Sequence, residues 1–171
     1  MVEEPLTQPG DLNDFPGAPF PERIIRAAEE SVRDEAEWHI APVVTETVRI
    51  DAEGGAYLRL PSLRVVEVTS VTIGGVAVVD YELGAAPMLY RRRGWPYGVV
   101  EVTLTHGYPT VPAGLLPVIA ARCQRARVDA TVTQRSETVG ARTSSEAYNI
   151  NRLEIEASAS GVDRYKLPPR F

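Results

Sequence analysis

Cysteine is almost missing from this chain: Cys123 is the single one among 171 residues. That excludes an intramolecular disulfide and any zinc site built on several thiolates. Nothing beside it in the sequence lowers a thiol pKa, and its place on the apolar side of an expected helix marks it as a buried, inert residue. Lysine is equally scarce, with Lys166 alone among 18 basic residues, and histidine occurs only at His39 and His106. No run approaches the roughly 20 apolar residues that span a bilayer. The first residues are acidic where a secretory signal is basic and then apolar. The chain therefore reads as soluble, made in the cytoplasm and without a membrane partner.

What is present is ordinary in amount and uneven in placement. Hydrophobic residues make up 44% and charged residues 24%, which fits a folding chain with one modest core and appendages. The net charge of −5 conceals an asymmetry. Residues 1–38 hold ten acids against Arg23, Arg26 and Arg33, whereas residues 88–135 hold seven arginines against Glu101 and Asp129. Separated charge of this kind steers association between copies or partners.

The first twenty residues carry four prolines, two glycines and no sustained period, so 1–20 is expected to be an extended arm. Pro21 suits a first helical position and Glu22 suits the positive end of the helix dipole. Ile25, Ala28, Val32 and Ala36 then recur at helical steps, predicting a helix over 21–40 that Pro42 brings to an end. Over 43–108 the period changes to two. Val44, Val48 and Ile50 alternate with Thr45, Thr47 and Arg49, and glycine pairs at 54–55 and 74–75 mark turns between strands. Five or six short antiparallel strands are expected, including 65–73, 76–81 and 99–105. After Pro109 and Pro112 the helical period returns over 113–130, with Leu115, Ile119, Cys123, Ala126 and Ala130 on one face. Residues 131–171 read as an extended C-terminal arm. The fold class is α+β: two main helices flank a small antiparallel, barrel-like β block, and 21–130 forms the core.

Chemistry is thinly supplied. His39 and His106 read as structural, and no spacing joins them to Asp51 or Asp80 as a metal-ligand motif. The glycine pairs sit between strands and open no helix, so they cradle no phosphate. Arg91, Arg92 and Arg93, followed by Trp95, mark a loop able to contact a partner. One such cluster neutralises too few phosphates for tight nucleic-acid binding. An enzymatic alternative would rest on His106, Tyr108 and Glu101. No catalytic set, metal or cofactor is otherwise implied.

The order of features resembles the head-to-tail adaptor (connector) proteins of siphophages, especially those of phages infecting actinobacteria. The resemblance rests on Glu37-Trp38-His39-Ile40 after the first helix and on the Thr-rich strand over 43–51. It continues through Leu58-Arg59-Leu60-Pro61-Ser62, Val65-Val66-Glu67-Val68-Thr69-Ser70-Val71, and Arg93-Gly94-Trp95-Pro96. The most telling stretch is Thr105-His106-Gly107-Tyr108 running into Val111-Pro112, and the match closes on Val162-Asp163-Arg164-Tyr165. It spans roughly residues 20–168. It implies a structural virion protein at the head-tail junction: a ring of identical subunits, commonly twelve, between the portal and a stopper or tail-side connector. Genomic DNA would pass through the lumen without sequence-specific binding. Another neck role, stopper or tail completion, is the nearest alternative.

Both arms are expected to gain order only from partners, because they lack periodic apolar surface of their own. At the C-terminus, Arg164, Tyr165, Lys166, Leu167, Arg170 and Phe171 lie around the stiffening Pro168-Pro169. They are the expected anchors on the portal or a neighbouring subunit.

Overall fold

The computed structural model describes residues 4–8, 10–84, 87–131 and 161–168. Helix α1 is Glu22–Ala36. Strands β1 Val44–Glu53, β2 Tyr57–Arg59, β3 Val65–Ile73, β4 Val76–Ala77, β5 Glu82–Leu83, β6 Met88–Tyr90 and β7 Tyr97–His106 follow, then a 3-10 turn, Ala113–Leu115, and helix α2, Leu116–Thr131. The fold class is α+β, with every strand pairing antiparallel. No helix among the described residues is long and apolar enough to cross a membrane.

The chain divides into two compact units. The first comprises residues 1–6, 33–111 and 165–171; the second comprises 7–32 and 112–164. The first holds both sheets, ordered β1-β7-β3-β4 and β2-β6-β5. β7 is the central strand, and its alternation sets the core. Val100, Val102, Leu104 and His106 are buried and point to one side, while Glu101, Thr103 and Thr105 point to the other. Leu58 and Leu89 from the second sheet join Val71, Val100, Val102, Leu104 and Trp95 in one cluster, so the sheets enclose a common core. The outward side is polar and laced across strands: the Thr45 and Thr105 hydroxyls lie 2.7 Å apart, and those of Thr47 and Thr103 lie 2.9 Å apart. At the 73–76 turn, Gly74 and Gly75 have φ of 56° and 80°, the positive values a two-residue hairpin of matching twist requires.

In the second unit, Ala28 and Val32 of α1 and Leu115, Val118, Ile119 and Cys123 of the second helical region are buried. Ala126, expected on that apolar face, is exposed. Leu115, Ile119 and Cys123 are buried as the period predicts, with Val118 and Ala120 buried beside them.

Two expectations change. The first helix stops at Ala36, four residues before its anticipated end. Glu37 takes a left-handed conformation, with φ 64°, and its N–H donates to the Arg33 carbonyl at 2.8 Å, which closes the helix in an αL cap. The following Trp38, Ile40 and Ala41 then turn inward and are buried. The N-terminal arm is also not bare of packing surface. Leu6, Leu12 and Phe20 are buried, and the buried Glu29 carboxylate accepts from the Thr7 N–H at 2.7 Å and the Thr7 hydroxyl at 2.6 Å. A carboxylate out of water requires such donors, and here the arm supplies them.

Candidate assembly interface

The Thr105-His106-Gly107-Tyr108 stretch is the junction of the first unit. His106 is the fourth inward residue of β7, only 1% exposed, and its Nε2 donates to Glu46 Oε1 at 2.9 Å. Its ring meets that of His39 edge-on at 5.9 Å. Gly107 has φ 107°, and a Cβ there would lie 2.7 Å from the Pro42 carbonyl oxygen. Only glycine lets the two segments pass so closely. The Tyr108 N–H then donates to the Ile40 carbonyl at 2.8 Å. Its ring gathers Trp38 at 6.2 Å, Tyr165 at 6.3 Å and the Arg64 guanidinium at 4.9 Å.

This cluster receives the C-terminal residues. The Trp38 indole donates to the Tyr165 carbonyl at 2.6 Å, Lys166 pairs with Glu35 at 2.8 Å, and the Leu167 N–H donates to the Ala36 carbonyl at 3.1 Å. Ala36 ends α1, so its carbonyl is one of the orphan acceptors that every helix C-terminus must satisfy. Tyr165, Lys166 and Leu167, expected as anchors for partners, are thus engaged with their own chain. Arg164 is exposed. Arg170 and Phe171 lie outside the described residues, as does most of the anticipated C-terminal arm.

The arginine loop is also partly committed. Arg91 pairs with Asp80 at 3.0 Å and lies over the buried Trp95 ring at 5.6 Å. The Arg91 guanidinium, by hydrogen bond and charge, holds the Asp80 carboxyl below the usual carboxylate range. Trp95 donates its indole N–H to the Leu89 carbonyl at 3.1 Å and its backbone N–H to the Gly55 carbonyl at 2.7 Å. Arg92 and Arg93 remain exposed. Arg93 also lies 4.0 Å from Asp80, so fewer than three arginines are available to a phosphate backbone.

The residues of the enzymatic alternative do not converge. Glu101 and His106 lie on opposite faces of β7. Glu101 pairs outward with Arg49 at 3.5 Å, while Tyr108 is held in the aromatic cluster. Asp51 stands seven residues along β1 from Val44, the residue opposite His106, which is roughly 23 Å along a strand. Among the described residues no group of three or more His, Cys, Asp or Glu is placed to hold a metal. Cys123 is fully buried, and burial, reinforced by the Glu29 charge, pushes its thiol up to about 11.

Sequence reasoning missed one surface feature. Tyr57 and Tyr97 are exposed, at 64% and 85%. Both sit on strands whose period predicts only that one face is wet, and which wet positions carry aromatic rings becomes meaningful only once the loops are placed.

No family model and no curated protein matches the chain. Its fold is shared by chains of solved structures, among them two particle necks. One is a chain in the neck of a native gene transfer agent (GTA) particle computed with C12 symmetry, at TM-score 0.53 and 14% identity, covering 87% of this chain and 82% of that one. The other is from the neck of an empty GTA particle computed with C6 symmetry, at TM-score 0.54 and 16% identity, covering 87% and 78%. At such identities the likeness is one of fold.

Proposed function

We propose that this chain is a non-enzymatic structural subunit of the neck of a phage-like particle. It acts as a connector that assembles with copies of itself into a ring of twelve subunits next to the portal, and joins head to tail while DNA passes through the lumen. The observation that carries this reading is the shared fold over 87% of the chain with a neck chain whose particle was computed with C12 symmetry. A ring of identical subunits requires heterologous contacts, in which one face of each copy meets a different face of the next. The dispersal of Glu101, His106 and Tyr108 supports a mechanical role over a chemical one. Portal on one side and stopper or tail-side connector on the other are the partners this role requires, and the virion is its location. The test is quantitative mass spectrometry of purified particles together with deletion of the gene. About a dozen copies per particle are expected, along with DNA-filled heads that lack tails when the protein is missing. Normal tailed particles without this protein would refute the reading.

A further inference from the structure

The end of the first unit where β1 finishes and β7 begins presents aromatic rings and cations together. Tyr97 lies opposite Glu53 in the β1–β7 register, and its ring stands 3.2 Å from where a Cβ on Gly54 would be. The arginine loop is tied to the same place: Trp95 donates to the Gly55 carbonyl and Arg91 to the Ala56 carbonyl at 2.7 and 2.8 Å. Tyr57, the next residue, packs its ring 5.3 Å from that of Tyr90. Tyr57, Tyr97, Arg92 and Arg93 therefore cluster at one exposed tip on a backbone fixed by these bonds. Rigid tyrosines beside arginines are the composition of interface hot spots, because they contribute large contact area at low entropic cost.

The opposite charge lies on α1. Glu30 and Asp34 are one helical turn apart, Glu37 follows at the cap, all three are exposed, and none has an ion pair among the described residues. Asp34 and Glu37 stand at the negative end of the helix dipole, where acids are unfavourable and a cation is favoured. Lys166 pairs with their neighbour Glu35. A cationic surface brought from outside would meet favourable charge there.

We propose that the Tyr57–Tyr97–Arg92–Arg93 tip of one copy docks on the Glu30–Asp34–Glu37 ridge of a second copy. The two surfaces differ in composition and sign, so the contact is head-to-tail and repeats around a ring. This inference rests on the proposed ring-forming role and names the faces that meet.

Sedimentation of the full chain at low and high salt tests it. Concentration-dependent self-association that weakens with salt is expected. Arg92→Glu with Arg93→Glu, or Glu30→Arg with Asp34→Arg, should each weaken it by roughly tenfold or more, and a chain carrying all four changes should regain it. Tyr97→Ser, at a position 85% exposed, provides a second variant that weakens association without altering charge. Unchanged association in both reversed variants overturns the inference, as does a wild-type chain that stays monomeric at every concentration. So does a tip variant that loses retention on duplex DNA while its self-association is unaffected, since the tip would then be a phosphate-binding surface. None of these results touches the neck role, which particle composition tests separately.

Discussion

Single residues decide two properties of this chain. Gly107 combines a positive φ with a backbone oxygen where a Cβ would be. Gly107→Ala should therefore cost at least roughly 2 kcal/mol of folding stability, read as a lowered denaturation midpoint with an unchanged slope. Cys123 is the second case. Its folded pKa of about 11 exceeds the ordinary 9.0, so below pH 9 the thiol is neutral in both states and its contribution is complete. Between about 9 and 11 the unfolded chain ionises first, and stability falls as pH rises. The wild-type minus Cys123→Ala stability difference should shrink across that window, and thiol reagents at pH 8 should label the native chain far more slowly than the unfolded one. Fast native labelling would contradict this burial. The inertness of Cys123 was legible in the sequence, because it falls at a helical step from Ile119. The burial of Glu29 and Arg33 was not. Their charge argues for solvent, and only the chain of residues 4–7 and 41 explains why water is unnecessary: Arg33 donates to the Glu4 and Ala41 carbonyls while Glu29 accepts from Thr7.

At the scale of elements, strand β7 separates its two faces cleanly enough to test. Leu104→Ala, inside the common core, should lose about 2–5 kcal/mol. Thr103→Ala, next to it but facing outward, removes one hydroxyl–hydroxyl pair and should cost less than roughly 1 kcal/mol. Paired thermal melts measure both, and equal losses would mean that the register of β7 is wrong. The alternation of β1 and β7 and the Gly74-Gly75 hairpin were readable in advance because each is a local rule: period two in one case, positive φ in the other. The end of α1 was not, since Pro42 marks only the last place where the helix could stop. A left-handed Glu37 is chosen by the inward packing of Trp38 and Ile40, which is a tertiary effect. β3 was foreseen as one even strand, yet its register against β7 shifts twice, between Val65 and Glu67 and between Val68 and Ser70. Bulges of this kind depend on the partner strand and blunt a sheet edge against stray pairing.

At the scale of the whole chain, segments from both its ends close the first unit. Removing residues 165–171 takes away the acceptor of the Trp38 indole, the Lys166–Glu35 pair and the bond to the Ala36 carbonyl. Truncation should therefore lower stability by roughly 1–3 kcal/mol, since the buried indole N–H is left without its partner. Trp38 emission should shift to longer wavelength as water reaches the ring. A truncated chain with an unaltered melt and unaltered emission would show that these contacts are idle. The same feature has a topological side. Glu4 is bound through Arg33 and Leu167 through Ala36, positions three residues and so about 4.5 Å apart along one helix. Glu4 and Leu167, near the two ends of the described chain, are therefore both tied to the last turn of α1, and the backbone between them is close to a closed loop. A short peptide joining last residue to first, with new ends opened at the exposed Gly74-Gly75 turn, should give a circular permutant that keeps the fold.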